Sequence, residues 1–228
     1  MIRLTYETRH FDFEQELSAA QNPKRIVVHR QGNPGATALN ALNWGKREDA
    51  FTVHSYVGGG VCYDAIHSTR HAFHVKEASV AAARGFRTTG AYGPRGDYDS
   101  IGIETEDVIG GAPGQAYSIT QETRITLLLR VAKYLDTWNL TPEDVDEHAT
   151  WDPVNRAEDL GDALHIPDFR EDLRDFRAGR VPWRTVGQFA RGTAAPLSWK
   201  PVEFDRVEAR RLVQDIKASL RELEALIG

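Results

Sequence analysis

The feature that most constrains the fold of this chain is the alternation of short β-branched segments with longer segments of helical periodicity. Residues 24–29 (KRIVVH) follow a proline and precede a Pro/Gly loop, a pattern typical of a buried strand. Residues 100–106 (SIGIETE) have the same character. We therefore predict an α/β domain, with a central mixed β-sheet flanked by helices.

The clearest helical pattern follows Thr120, a good N-cap residue, and gives a broad apolar face. Shorter helices are predicted over residues 36–49, 78–84 and 169–176. Two further strands are predicted over residues 51–57 and 61–66, joined by a turn of three glycines.

The character of the sequence changes after about Ala178, which predicts a domain over residues 1–178 and an extension over 179–228. Residues 204–227 are strongly helical, and their apolar positions have heptad-like spacing. Over about three heptads this spacing fits either a seam against the main domain or a homodimeric coiled coil.

The charge pattern bears on the partners of the chain. Its 28 Lys and Arg are interleaved with 33 Asp and Glu, so we expect no nucleic-acid partner. No apolar stretch is long enough to cross a bilayer, so no membrane insertion is expected. Residues 1–7 lack the pattern of a signal peptide, and the single cysteine, Cys62, suits a reducing compartment. We therefore expect synthesis in the cytoplasm.

Three residues have the chemistry of zinc ligands. His29 ends an apolar strand, His148 opens an aperiodic segment, and Asp159 follows 11 positions later. Two imidazoles and one carboxylate leave a coordination position open, as in catalytic zinc sites. The alternatives are a hydrogen-bonded histidine at a strand end and, for Asp159, a helix cap or a solvated acid beside Glu158 and Asp162.

Glu104 is the strongest candidate for an acid–base residue. With a period of two, it shares a strand face with Gly102, while Ile101 and Ile103 occupy the other. The missing side chain at Gly102 would leave room for a ligand. Glu104 is then either a general base or one partner of a buried salt bridge.

Five segments of the chain follow one another in a recognisable order between residues 20 and 175. They are IVVH (26–29), VHSYV (53–57), AFHV (72–75), SIGIE (100–104) and a closing set of His148, Arg156, Asp159 and Gly161. In this order they resemble the type 2 family of N-acetylmuramoyl-L-alanine amidases, which includes phage endolysins and peptidoglycan recognition proteins.

The resemblance implies a Zn²⁺ site formed by His29, His148 and Asp159, with Glu104 as the catalytic base. It places a lysine of the family at position 157, which is alanine here, so the adjacent Arg156 would supply the positive charge. The spacing from His148 to Asp159 is one residue longer than in one branch of the family.

The resemblance also implies the substrate and its surroundings. His54 and His74 would bind substrate beside a groove, and the bond cleaved would join N-acetylmuramic acid to L-alanine in peptidoglycan. A phage endolysin that reaches the cell wall with the help of a separate protein is the expected context. Two other functions stay open: a module that binds peptidoglycan without cutting it, and a structural phage component assembled through the C-terminal helix.

Overall fold

The computed structural model describes residues 7–10, 20–31, 37–45, 52–106, 119–156, 159–160 and 164–180. All of these residues belong to one compact unit, Thr5–Ala195. The strands are β1 (Glu7–His10), β2 (Arg25–Arg30), β3 (Ser55–Gly58), β4 (Val61–Asp64), β5 (Ser100–Thr105) and β6 (Val145–Glu147). They form one sheet in the order β1-β4-β3-β5-β2-β6.

The sheet is mixed, as predicted. Every neighbouring pair is parallel except β3 and β4, which form a hairpin. Gly59 and Gly60 make the turn with φ of +54° and +80°, a backbone conformation that other residues rarely adopt. The parallel alignment of β5, β2 and β6 brings the carboxyl ends of these strands to one edge.

The described part of the chain contains four α-helices that flank the sheet. They are α1 (Ala38–Gly45), α2 (Ala78–Ala83), α3 (Gln121–Trp138) and α4 (Ile166–Arg177). Two 3-10 helices, Pro142–Asp144 and His148–Thr150, flank β6. The predicted cap of α3 is confirmed, because the Thr120 hydroxyl accepts a hydrogen bond from the Thr123 amide at 3.1 Å.

Strand alternation divides the apolar residues between two sides of the sheet. Ile26 and Val28 belong to the main core, which also contains residues of β5, α3 and α4. Val27 faces the other side and packs in a smaller cluster with Val75, Ala81 and Trp151. His29 shares the face of Val27. The α/β architecture and its flanking helices are thus confirmed.

Some predicted boundaries differ from the structure. The strands predicted over 51–57 and 61–66 are shorter, and α4 begins three residues earlier than expected because Pro167 suits a first helical turn. Strands β1 and β6 were not predicted, because they are short and their sequences, ETRH and VDE, have no apolar run.

Among the described residues, no helix has the length and apolarity needed to cross a membrane. The predicted C-terminal helix lies outside the described residues.

Candidate metal and catalytic site

The three predicted metal ligands meet at the carboxyl ends of the parallel strands. His29 lies near the end of β2, His148 begins the 3-10 helix that follows β6, and Asp159 lies in the next loop. One ligand atom from each residue falls within 4.8 Å of the others, and all three residues are buried. The Nδ1 atoms of His29 and His148 are 3.0 Å apart.

This donor set fits a zinc ion. Two ligand atoms about 2 Å from a tetrahedral zinc are about 3.3 Å apart, close to the separation of the two Nδ1 atoms. Burial, then the charges of His148 and Arg156, lowers the pKa of His29 well below its ordinary value. His29 is therefore neutral at physiological pH, as a metal-bound imidazole must be.

Asp159 is fixed in place by the backbone. Its Oδ2 accepts a hydrogen bond from the Arg30 amide at 3.3 Å, and its own amide donates to the Arg156 carbonyl at 3.0 Å. Burial raises the pKa of Asp159, although the charge of His148 opposes this shift. Glu158 and Asp162, the acids that the sequence could not separate from Asp159, lie outside the described residues.

Glu104 lies beside His29 in the sheet. The two residues are in register on β5 and β2, and Tyr56 of β3 is in register with Glu104 on its other side. Burial raises the pKa of Glu104 to about 8; the Asp159 carboxylate adds to the shift and Arg156 opposes it. A carboxyl group with a pKa close to neutrality is suited to exchange protons during a reaction.

A cleft of about 630 Å³ opens above these residues. Its wall combines the candidate ligands His29 and His148 with acidic, basic and aromatic side chains, and Trp44 at its edge is 45% exposed. Arg156 lies at the rim, where its half-exposed side chain approaches Asp159 with a separation of 3.7 Å between Nη1 and Oδ1. The lining residues include His29, Arg30, Gln31, Trp44, Tyr56, His74, Lys76, Glu77, Glu104, His148, Asp152, Asn155 and Arg156.

His74 contacts a candidate ligand directly. Its Nδ1 lies 2.9 Å from His29 Nε2, and its Nε2 lies 3.0 Å from the Ser100 hydroxyl, which donates its proton to the Asp97 carbonyl at 2.6 Å. His74 Nε2 must then donate to Ser100, His74 Nδ1 must accept, and His29 Nε2 must donate. This series of hydrogen bonds leaves the lone pair of His29 Nδ1 facing His148.

His54 occupies a different place from the one expected of a substrate-binding residue. It is fully buried and is not part of the cleft lining. Its Nδ1 accepts a hydrogen bond from the Gly102 amide at 3.0 Å, and its Nε2 lies 2.9 Å from the Arg70 carbonyl oxygen. His54 thus links the segment before β3 to β5, behind His74.

Among the cleft residues that were not singled out from the sequence are Tyr56, Trp44 and Glu77. Tyr56 could have been found, because it shares the strand face of His54 two positions earlier. Trp44 and Glu77 lie at the end of α1 and just before α2, where no periodic pattern indicates the direction of a side chain.

Comparison with known proteins bears on the fold. No protein-family model and no curated protein matches the sequence. The structure is similar to that of a mutant endolysin from Bacillus subtilis, with a TM-score of 0.54 and 18% identity over 73% of this chain and 98% of that chain. The amidase LysC from Clostridium intestinale gives a TM-score of 0.51 and 15% identity over 75% of this chain and 99% of that chain.

A third similar structure is the Staphylococcus aureus hydrolase AmiA in complex with its ligand. Its TM-score is 0.52, with 15% identity over 78% of this chain and 89% of that chain. At such identities the likeness establishes a shared fold. The fold expected from the resemblance to amidases is therefore confirmed.

Proposed function

We propose that this chain is a zinc-dependent N-acetylmuramoyl-L-alanine amidase that cleaves peptidoglycan. The observation that carries the proposal is the meeting of His29, His148 and Asp159 beside Glu104, where the two histidines and the glutamate line one open cleft. The names of the structurally similar proteins, an endolysin and an N-acetylmuramoyl-L-alanine amidase, support the same activity.

The residues of the cleft account for the steps of amide hydrolysis. When bound, zinc would polarise the scissile carbonyl and make water more acidic. Glu104 accepts the proton of the attacking water and delivers it to the leaving amine. Arg156 donates hydrogen bonds to the carbonyl oxygen as negative charge develops there, in the role of the lysine found in the resembled family. The exposed Trp44 offers an apolar surface at the cleft edge.

The cellular context is part of the proposal. A phage endolysin acting on the cell wall fits the endolysin among the similar structures. We further propose that residues 1–178 form the catalytic domain and that the helix predicted from the sequence over residues 204–227 mediates homodimerisation. Sedimentation of the full chain and of residues 1–178 checks this assignment, because a monomeric full chain would contradict it.

The activity is tested with purified sacculi, with and without a chelator. We expect new L-alanine amino groups without new reducing sugar ends, and we expect the chelator to abolish their release. Release of reducing ends would instead indicate a glycosidase. Tight binding to sacculi without release of either group would favour the binding module.

A further inference from the structure

The second ring nitrogen of His148 faces a carboxylate. His148 Nδ1 points towards His29, and His148 Nε2 lies 3.7 Å from Oε2 of Glu77. Both the Nε2 and the Oε2 atoms are buried, and neither has a hydrogen-bond partner among the described residues. Two buried polar atoms without partners are costly, and these two can satisfy each other.

The carboxylate of Glu77 is not used by its own helix. Glu77 occupies the N-cap position of α2, yet its side chain makes no capping hydrogen bond. It instead lines the cleft, with 24% of its side chain exposed. The side chain therefore belongs to the site rather than to the helix start.

The two candidate ligand histidines differ in how they are oriented. The tautomer of His29 is fixed by the hydrogen-bonded chain through His74 and Ser100. Among the described residues, no such series of hydrogen bonds orients His148, and Glu77 is the carboxylate that lies against its outer nitrogen. Metal-bound histidines commonly donate their second N–H to a carboxylate, which fixes the tautomer and increases the basicity of the ligand.

We propose that Glu77 is the positioning residue of His148, accepting a hydrogen bond from Nε2–H and holding the Nδ1 lone pair towards the metal. This inference rests on the proposed function, because the zinc ion is part of it. A shift of about 1 Å brings the pair to the usual distance of about 2.8 Å for a charge-assisted hydrogen bond. Loss of such a partner typically weakens metal binding by about 10- to 100-fold.

The test measures zinc affinity of the full chain by competition with a chromogenic chelator. We expect Glu77→Ala to bind zinc about 10- to 100-fold more weakly than wild type. Glu77→Gln should lose less, because its amide oxygen still accepts a hydrogen bond. The matched control is Glu143→Ala, the same substitution at an exposed glutamate that pairs with Arg174 and is not part of the cleft lining. Its zinc affinity should stay within about twofold of wild type.

Nitrogen NMR of the zinc-free chain gives a second readout. The wild-type His148 ring should have its proton on Nε2, whereas Glu77→Ala should show a mixture of tautomers. If wild type and Glu77→Ala bind zinc equally well while His29→Ala has lost zinc, the role of Glu77 is overturned and the proposed metal centre is not. A wild-type chain that binds no zinc would remove the proposed metal centre together with this inference.

Discussion

His29 Nε2 lies 2.9 Å from His74 Nδ1, so a histidine buried at the back of the cleft sets the tautomer of a candidate metal ligand. His74 is 5% exposed, and both of its ring nitrogens are engaged, one by His29 and the other by Ser100. The expected contact of His74 with substrate stays a prediction. The hydrogen bonds of its ring already give it a structural role, which is to orient His29.

Replacing His74 should weaken zinc binding while leaving the three candidate ligands in the chain. We expect His74→Ala to lower zinc affinity by about 10- to 100-fold, because His29 loses the acceptor that fixes its tautomer. Equilibrium competition with a chelator measures this loss. His67→Ala is the control, since His67 is exposed and contacts Thr69. Equal losses in the two variants would contradict the role of His74.

Gly102 should tolerate no side chain, because His74 occupies the space above it. A Cβ at Gly102 would lie 2.7 Å from Cγ of the His74 ring. We expect Gly102→Ala to lower the free energy of unfolding by about 1–3 kcal/mol, as overpacked sites do. Denaturant unfolding measures the change. In a His74→Ala background the penalty should shrink, and strict additivity of the two changes would argue against this clash.

Glu104→Gln should separate catalysis from metal binding. The substitution keeps the shape of the side chain but removes its ability to accept a proton from water. We expect hydrolysis of purified cell walls to fall by about 10²- to 10⁴-fold. Zinc content and thermal unfolding should stay close to wild type, which elemental analysis and calorimetry check. Undiminished release of L-alanine amino groups would rule out Glu104 as the base.

Asp97 should contribute to stability in a pH-dependent way. Its buried carboxylate accepts hydrogen bonds from His71 and Arg95 and from the amides of His74 and Val75. Burial alone would raise the pKa of Asp97, but the hydrogen bonds and charges of His71 and Arg95 lower it below its ordinary value. Asp97→Asn should therefore lower the free energy of unfolding at pH 7 by about 3 kcal/mol.

The direction of the pH effect follows from the lowered pKa. The contribution of Asp97 is fully present above the pKa of an unfolded aspartate, about 3.9, and is lost as the pH falls through the lower folded-state pKa. Unfolding curves between pH 7 and 2 should show wild type and Asp97→Asn converging only below about pH 4. Asp175→Asn, which breaks a partly exposed pair with Arg180, should cost less than about 1 kcal/mol. A gap between wild type and Asp97→Asn that does not change with pH would contradict this assignment.

The sequence by itself determined the strands that hold the site. The branched apolar residues of 24–29 and 100–106 favour strands, and a period of two places His29 and Glu104 on faces opposite Ile26 and Ile103. It also indicated His148, through the order of motifs. These predictions depend on local preferences and on spacing along the chain, which a single sequence records.

Only the tertiary structure decided which of these residues meet. His29 and His148 are 119 positions apart, and their contact depends on the parallel pairing of β2 with β6, a strand too short and polar to predict. The partners of His54, His74 and Glu77 likewise depend on how loops before β3, α2 and β5 cross one face of the sheet. These atoms are close in space because segments that are distant in the sequence pack together, and no local pattern of residues encodes such packing.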